Sequence, residues 1–320
     1  MAAQYRRLPG VRAGAESPEL RSAVRRLVQR RRIALHLYAE LGDEPVDFSM
    51  RARFDEDPEA IGHAIRAGLG IPMPIQLAWA NEFVAYRAWR KAVERLGVLV
   101  CQFPGKGLPD VRGTSILHFP LPVIGISSKE LPLSKPFTLL HEFVHVALAA
   151  SREEHPALTE GGSERHWLEV ERFCETVAGA ALMPKNDFAD DPSVVQQRRN
   201  RSWNVEGMRQ TSRRFRVTPT AAATRALRLG LMSPGNYNTW KAAWEAYQAA
   251  HPDRPGFAIA SPAEKAVGRN GPLLTSLVLS ALSNEQISST DAANFLDVGF
   301  AHVETLRNGW MAHPAELVGE

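Results

Sequence analysis

Cysteine is nearly missing from this chain: Cys101 and Cys174 are the only two in 320 residues, far apart and outside any CxxC spacing. Their scarcity excludes a disulfide framework and a cysteine-based zinc site, and leaves two small buried hydrophobes as the ordinary reading. Long apolar runs are missing too. None approaches the roughly 18 to 20 residues that a membrane-spanning helix needs. The opening segment MAAQYRRLPGVRAGAESPEL carries arginines but no apolar stretch behind them, so it does not read as a secretory signal. The expectation is a soluble, cytoplasmic protein without a membrane partner.

Acidic residues are scarce in two places. Residues 1–32 hold nine arginines against Glu16 and Glu19, and residues 198–228 hold nine against Glu206, on a chain whose net charge is +3. Two basic segments thus sit on an acidic remainder. No aromatic or glycine-rich nucleic-acid motif accompanies either one. The favoured reading is solvated arginine pairing with the acidic remainder, ahead of contact with nucleic acid.

Apolar periodicity and helix-start signals place most of the elements. SPELRSAVRRLVQRRRIALHLYAELG (17–42) reads as one long helix, with Ser17 as cap and Pro18 at its first position. DPEAIGHAIRAGLG reads as another, and residues 74–97, with Trp79, Phe83, Tyr86 and Trp89, as one or two more. After Gly97 the texture turns β-branched. VLVCQF, TSILHF and LPVIGIS predict a small sheet, a hairpin plus one further strand, with Pro120 and Pro122 bounding the turn. Helices are expected at 133–151 and 163–183, then a polar boundary across 187–204, then six further helices. The fold class expected is α+β, mostly helical.

Chemistry concentrates in FTLLHEFVHVALAA. His141 and His145 stand four apart, so a helix puts both imidazoles on one face, where they can hold one ion, with Zn2+ the default. Glu142 then lies beside the ion, where a general base can take a proton from water. A third ligand is needed, and Ser151 occupies the position where a third histidine would fall six residues on. A carboxylate from the helix SERHWLEVERFCETVAGAALMP is the natural candidate. Of Glu164, Glu169, Glu171 and Glu175, Glu171 lies on the face shared by Trp167, Cys174, Ala178 and Leu182. A carboxylate buried there needs a cation to compensate it. Glu171 is therefore the expected third ligand, with Glu175 as a neighbour that orients a ligand imidazole. His155, His166 and Tyr237 are candidates for the donor that stabilises an oxyanion.

The pair FTLLHEFVHVAL and LEVERFCETVAGAALMP resembles the ImmA/IrrE family of metallo-endopeptidases, gluzincin-type zinc peptidases. The resemblance covers roughly residues 5–230 and lacks the N-terminal helix-turn-helix domain of longer members. It implies a small zincin-like core with one zinc ion per chain held by His141, His145 and Glu171, and Glu142 as the catalytic base. It also implies that LPVIGISSK is the edge strand along which a substrate peptide lies. Family members cut DNA-binding repressors, and some stand beside toxin–antitoxin genes. The implied partner is therefore a repressor-like protein substrate in mobile-element, toxin–antitoxin or stress regulation. The domains expected are an N-terminal helical region (1–70), the peptidase core (71–190) and a C-terminal helical accessory domain (191–320).

A second reading comes from MRQTSRRFRVTPTAAATRALRLGLMS, which has the helix, short turn, helix outline of a DNA-binding unit with arginines on both helices. On that reading the chain is a DNA- or partner-binding regulator, antitoxin-like, that keeps the zincin scaffold with little or no proteolysis.

Overall fold

The computed structural model describes residues 17–105, 111–151, 164–251 and 261–312. Four helices come first: α1 (Pro18–Leu41), α2 (Pro58–Leu69), α3 (Met73–Ala78) and α4 (Glu82–Arg95). The strands β1 (Leu99–Phe103), β2 (Gly113–Ile116) and β3 (Val123–Ser127) follow. Next are α5 (Lys135–Ala150), α6 (Glu164–Leu182), α7 (Lys185–Ala189), α8 (Pro192–Arg199), α9 (Val205–Phe215) and α10 (Pro219–Arg228). The last five helices are α11 (Pro234–Ala250), α12 (Pro262–Asn270), α13 (Pro272–Ser283), α14 (Ser289–Leu296) and α15 (Phe300–Ala312). The result is the mostly helical α+β fold expected, with a three-stranded sheet consistent with a small zincin-like core.

Local chemistry accounts for the long elements. Ser17 Oγ accepts from the Leu20 amide at 3.2 Å, Pro18 fits the first turn, and Gly42 ends α1 at φ 70. The stripe Leu20, Val24, Leu27, Ala34 and Leu37 is buried along that helix. Helix α5 is different: from Thr138 to Leu148 every residue is buried, as befits a helix with packing on all sides.

Strand order is β1-β3-β2, with β1 parallel and β2 antiparallel to β3. The two faces of the sheet feed two separate cores. Val100, Ile124 and Ile126 join the cluster that includes α5, α6, α2 and α4. Leu99, Cys101, Phe103, Ile116 and Val123 join the cluster with α1, α12 and α13. This is the alternation a strand imposes. Gly125 faces α1, and a Cβ there would stand 2.5 Å from Leu27 Cδ1, so glycine allows α1 its close approach.

One expectation needs correction. The strand LPVIGISSK is not the edge strand: β3 sits in the middle of the sheet, and β2 is the edge near α5. The physical reason is that β1, arriving parallel, takes the side of β3 that the hairpin leaves free. Packing also crosses the expected boundaries at 70/71 and 190/191. Helix α2 lies against α6, α10 ion-pairs with α2 and α6, and α12 packs on β1 while α13 packs on α1.

A buried polar network holds α12 and α13 to the sheet. Arg90 Nη1 donates to Gly268 O at 2.9 Å, and its Nη2 donates to Val100 O. Glu94 accepts from Val100 N at 3.4 Å and from Leu273 N at 3.2 Å, at the start of α13. Arg30 Nε donates to Asn270 Oδ1 at 2.8 Å and its Nη1 to Gln102 O at 3.0 Å. Burial pushes the Glu94 carboxyl up to about 7, against the pull of Arg90 and the two backbone donors.

Candidate metal centre

Helices α5 and α6 cross with their buried faces together, and His141, His145 and Glu171 meet there. All three are buried, at 3%, 4% and 6% exposure, so whatever compensates the carboxylate must come from within the site. His141 Nε2 and His145 Nε2 are 3.2 Å apart. Glu171 Oε2 lies 3.3 Å from His141 Nε2, and Oε1 lies 3.2 Å from His145 Nε2. A tetrahedral ion with bonds of about 2.0 Å has ligand atoms about 3.3 Å apart, the spacing seen between the two imidazoles and between each imidazole and its own oxygen of Glu171. These three residues could hold a metal ion.

Electrostatics agree with the geometry. Burial alone would raise the Glu171 carboxyl, yet hydrogen bonds and charge from both imidazoles hold it well below the usual range. Burial alone would lower His145, while Cys174 and Glu171 beside it carry it well above an ordinary histidine. Both directions describe a pocket with high affinity for positive charge.

Glu142 is fully buried and points toward β2. A Cβ on Gly113 would stand 2.8 Å from Glu142 Oε1 and 2.6 Å from Thr138 Cγ2, so the glycine makes the space that the carboxylate fills. Thr138, one turn before Glu142, donates to Glu130 Oε1 at 2.7 Å. Burial raises Glu130 to about 7, opposed by Thr138, Arg112 and Lys135 and reinforced by Glu142. Glu130, Thr138 and Gly113 were missed in the sequence. Two signals were readable: a lone glycine opening a strand, and a threonine four residues before Glu142 on the same helix face.

Strand β2 offers backbone as well as space. Ser127 N donates to Arg112 O at 2.8 Å, which makes those two residues a hydrogen-bonded pair. By alternation Thr114 and Ile116 also turn their amides to β3, and Gly113 and Ser115 turn theirs outward. Among the described residues no strand pairs with that outer edge.

Glu175, expected beside a ligand imidazole, pairs instead with an arginine of α10. Its Oε2 accepts from Arg228 Nη2 at 2.6 Å, with both side chains partly exposed, because the fourth residue after Glu171 is rotated off the buried face toward α10. Tyr237 pairs with Thr224 at 3.2 Å and stacks beside Trp240, making no hydrogen bond or ring contact with the site residues. His155 and the side chain of His166 lie outside the described residues.

The arginines of α9 and α10 pair with carboxylates of the same chain, Arg225 buried and the others at least partly exposed. Arg225 pairs with Glu59, Arg228 with Glu175, Arg214 with Asp191, and Arg209 with Glu206. The second helix of a DNA reader presents its side chains to the groove, but α10 turns Arg225 inward at 3% exposure.

No described helix is long and apolar enough to cross a membrane. Comparison with curated proteins and with solved structures returned no match. One family model does match, that of the IrrE N-terminal-like domain, a peptidase family, over residues 93–227. The matched span starts in α4, carries the whole sheet with α5 and α6, and ends in α10. Residues 93–227 are an ImmA/IrrE family peptidase-like domain.

Proposed function

We propose that the chain is a zinc-dependent endopeptidase that cuts a regulatory protein, a DNA-binding repressor. The observation that carries this reading is the triangle of residues His141, His145 and Glu171, whose imidazole–imidazole and imidazole–carboxylate contacts are 3.2–3.3 Å, beside a base packed against β2 at Gly113. Zinc in that triangle would supply Lewis acidity, polarising the scissile carbonyl and acidifying a water molecule to near neutral pH. An extended substrate segment adds to β2 through the outward amides of Gly113 and Ser115, which brings its carbonyl past Glu142. Glu142 takes a proton from the attacking water and returns it to the amine nitrogen as the C–N bond breaks. Burial keeps bulk water from competing for that proton. The repressor as substrate follows from the resemblance of residues 137–184 to the family.

The test is co-expression with the repressor-like protein encoded beside it, as wild type and as Glu142→Gln. The expected result is a cut in the wild type and a loss of about 10²–10⁴-fold in rate in the variant, with zinc content unchanged. An uncut repressor in both, with zinc bound, would overturn the assignment of substrate and activity.

A further inference from the structure

We infer that Arg225, Gln76 and Arg66 are positioning residues for the metal site: they fix α6 along its own axis and thereby set where Glu171 stands. The inference rests on the reading that His141, His145 and Glu171 hold zinc.

The last carbonyls of a helix have no partner within it. In α6 three consecutive ones are taken by buried side chains from three other helices. Ala181 O accepts from Arg66 Nη1 at 2.7 Å, Leu182 O from Gln76 Nε2 at 3.0 Å, and Met183 O from Arg225 Nε at 2.8 Å. The three grips are themselves anchored. Arg66 Nη1 also donates to Gln76 Oε1 at 2.6 Å, and Gln76 Nε2 to Phe215 O at 2.7 Å. Arg225 forks onto both oxygens of Glu59 at 2.6 and 2.7 Å. Two guanidiniums at a helix C-terminus also meet the negative end of its dipole.

The clamp has no slack. Arg66, Gln76 and Arg225 are 5%, 0% and 3% exposed, so no water can substitute for them. At Gly62 the backbone of α2 lies directly on α6, where an added Cβ would stand 2.7 Å from Ala180 Cβ. Glu171 lies ten residues before Ala181, or about 15 Å up a rigid rod. A slip at the clamp therefore displaces Glu171 by a similar amount. Metal–ligand distances tolerate only about 0.2 Å, so even a small slip opens the triangle. The helices that resemble a DNA reader in sequence thus serve the metal centre through Arg225.

The experiment measures zinc affinity of the full chain by chelator competition, and the visible spectrum of the Co(II) form, for wild type, Arg225→Lys and Arg66→Lys. Each lysine keeps the charge and gives up the fork; the second variant covers failure of the first to fold. Val194→Ala, a core truncation in α8, serves as a control for lost stability. Expected are zinc affinities about tenfold weaker in the lysine variants, with a weakened tetrahedral Co(II) band, and wild-type values in the control. Unchanged affinity and spectrum in the folded lysine variants, or losses matched by the control, would sink the positioning role. A wild type that binds neither zinc nor cobalt would sink the metal-site reading itself, and the inference with it.

Discussion

Adding one methyl group at Gly113 should disable the base while leaving the metal in place. The residue does not adopt a left-handed φ, so Gly113→Ala introduces a side chain without backbone strain. The new Cβ would stand 2.6 Å from Thr138 Cγ2 and 2.8 Å from Glu142 Oε1, where ordinary contact begins at 3.4 Å. The overlaps are thus 0.8 and 0.6 Å. Thr138 cannot yield easily, because its β-branched side chain is stiff and its hydroxyl is engaged by Glu130 at 2.7 Å. Glu142 is the group that moves. Overpacking costs about 1–3 kcal/mol, offset in part by about 0.5–1 kcal/mol gained on replacing glycine within a strand, so the chain still folds. A base displaced by more than half an ångström loses about 10–100-fold in rate, since a 1 Å misplacement can cost about 10²-fold. Zinc stoichiometry should stay at the wild-type value, because the nearest atoms to the new methyl belong to Thr138 and Glu142, not to a ligand residue. Adding Thr138→Ser deletes the clashing Cγ2 and keeps the hydroxyl for Glu130, and should restore part of the rate. The assay is single-turnover cleavage of the repressor cut by the wild type, alongside metal analysis. A Gly113→Ala protein that cuts at full rate, or a double variant no faster than the single one, would refute the placement of Glu142 against β2.

Three further predictions concern the frame around the site. Glu94 has a folded pKa of about 7 against an ordinary 4.5, so its stabilising contribution is greatest below pH 4.5 and is lost as pH rises through 7. Relative to wild type, Glu94→Gln should therefore gain roughly 3 kcal/mol in urea unfolding between about pH 5 and about pH 8.5; a constant difference would contradict the assignment. A chain ending at residue 251 loses α12–α15 and bares Leu99, Cys101 and Phe103 of β1. At about 1.5–3 kcal/mol per large side chain it should fail to fold cooperatively by calorimetry, and a sharp transition would restore the C-terminal helices to the status of a separate domain. Arg214→Glu leaves Asp191 buried at 1% side-chain exposure without its cation and should cost about 3–5 kcal/mol, whereas Arg213→Glu, at an exposed pair with Glu206, should change stability by less than about 1 kcal/mol. Equal thermal shifts in the two would contradict that contrast.

The helices were legible because their signals are local. Ser17 with Pro18, and Asp57 with Pro58, announce helix starts that the structure keeps as caps. The same signals stood unread at Asp191-Pro192, where a polar composition suggested a boundary, and at Ser261-Pro262. Asp191 caps α8 through Ser193 and Val194, and Ser261 forms a full capping box with Glu264. A polar stretch, in other words, says little about helix content when its caps are in order.

What sequence could not supply was partner choice across long separations. Glu171 was legible because an isolated carboxylate on an apolar helix face demands compensation wherever the helix goes. The partner of Glu175 was not: nothing in its neighbourhood points to Arg228, 53 residues on, which lies within 2.6 Å. The order of the sheet has the same character. A hairpin leaves either of its strands free to accept a third, and periodicity is identical in both cases. The choice is made by packing: β1 carries Leu99, Cys101 and Phe103 to the face covered by α1, α12 and α13, where it pairs with β3. Placing β1 there leaves the outer edge of β2 unpaired among the described residues. The third layer, helices remote from the chemistry, thus decides which strand of the sheet is left at the edge.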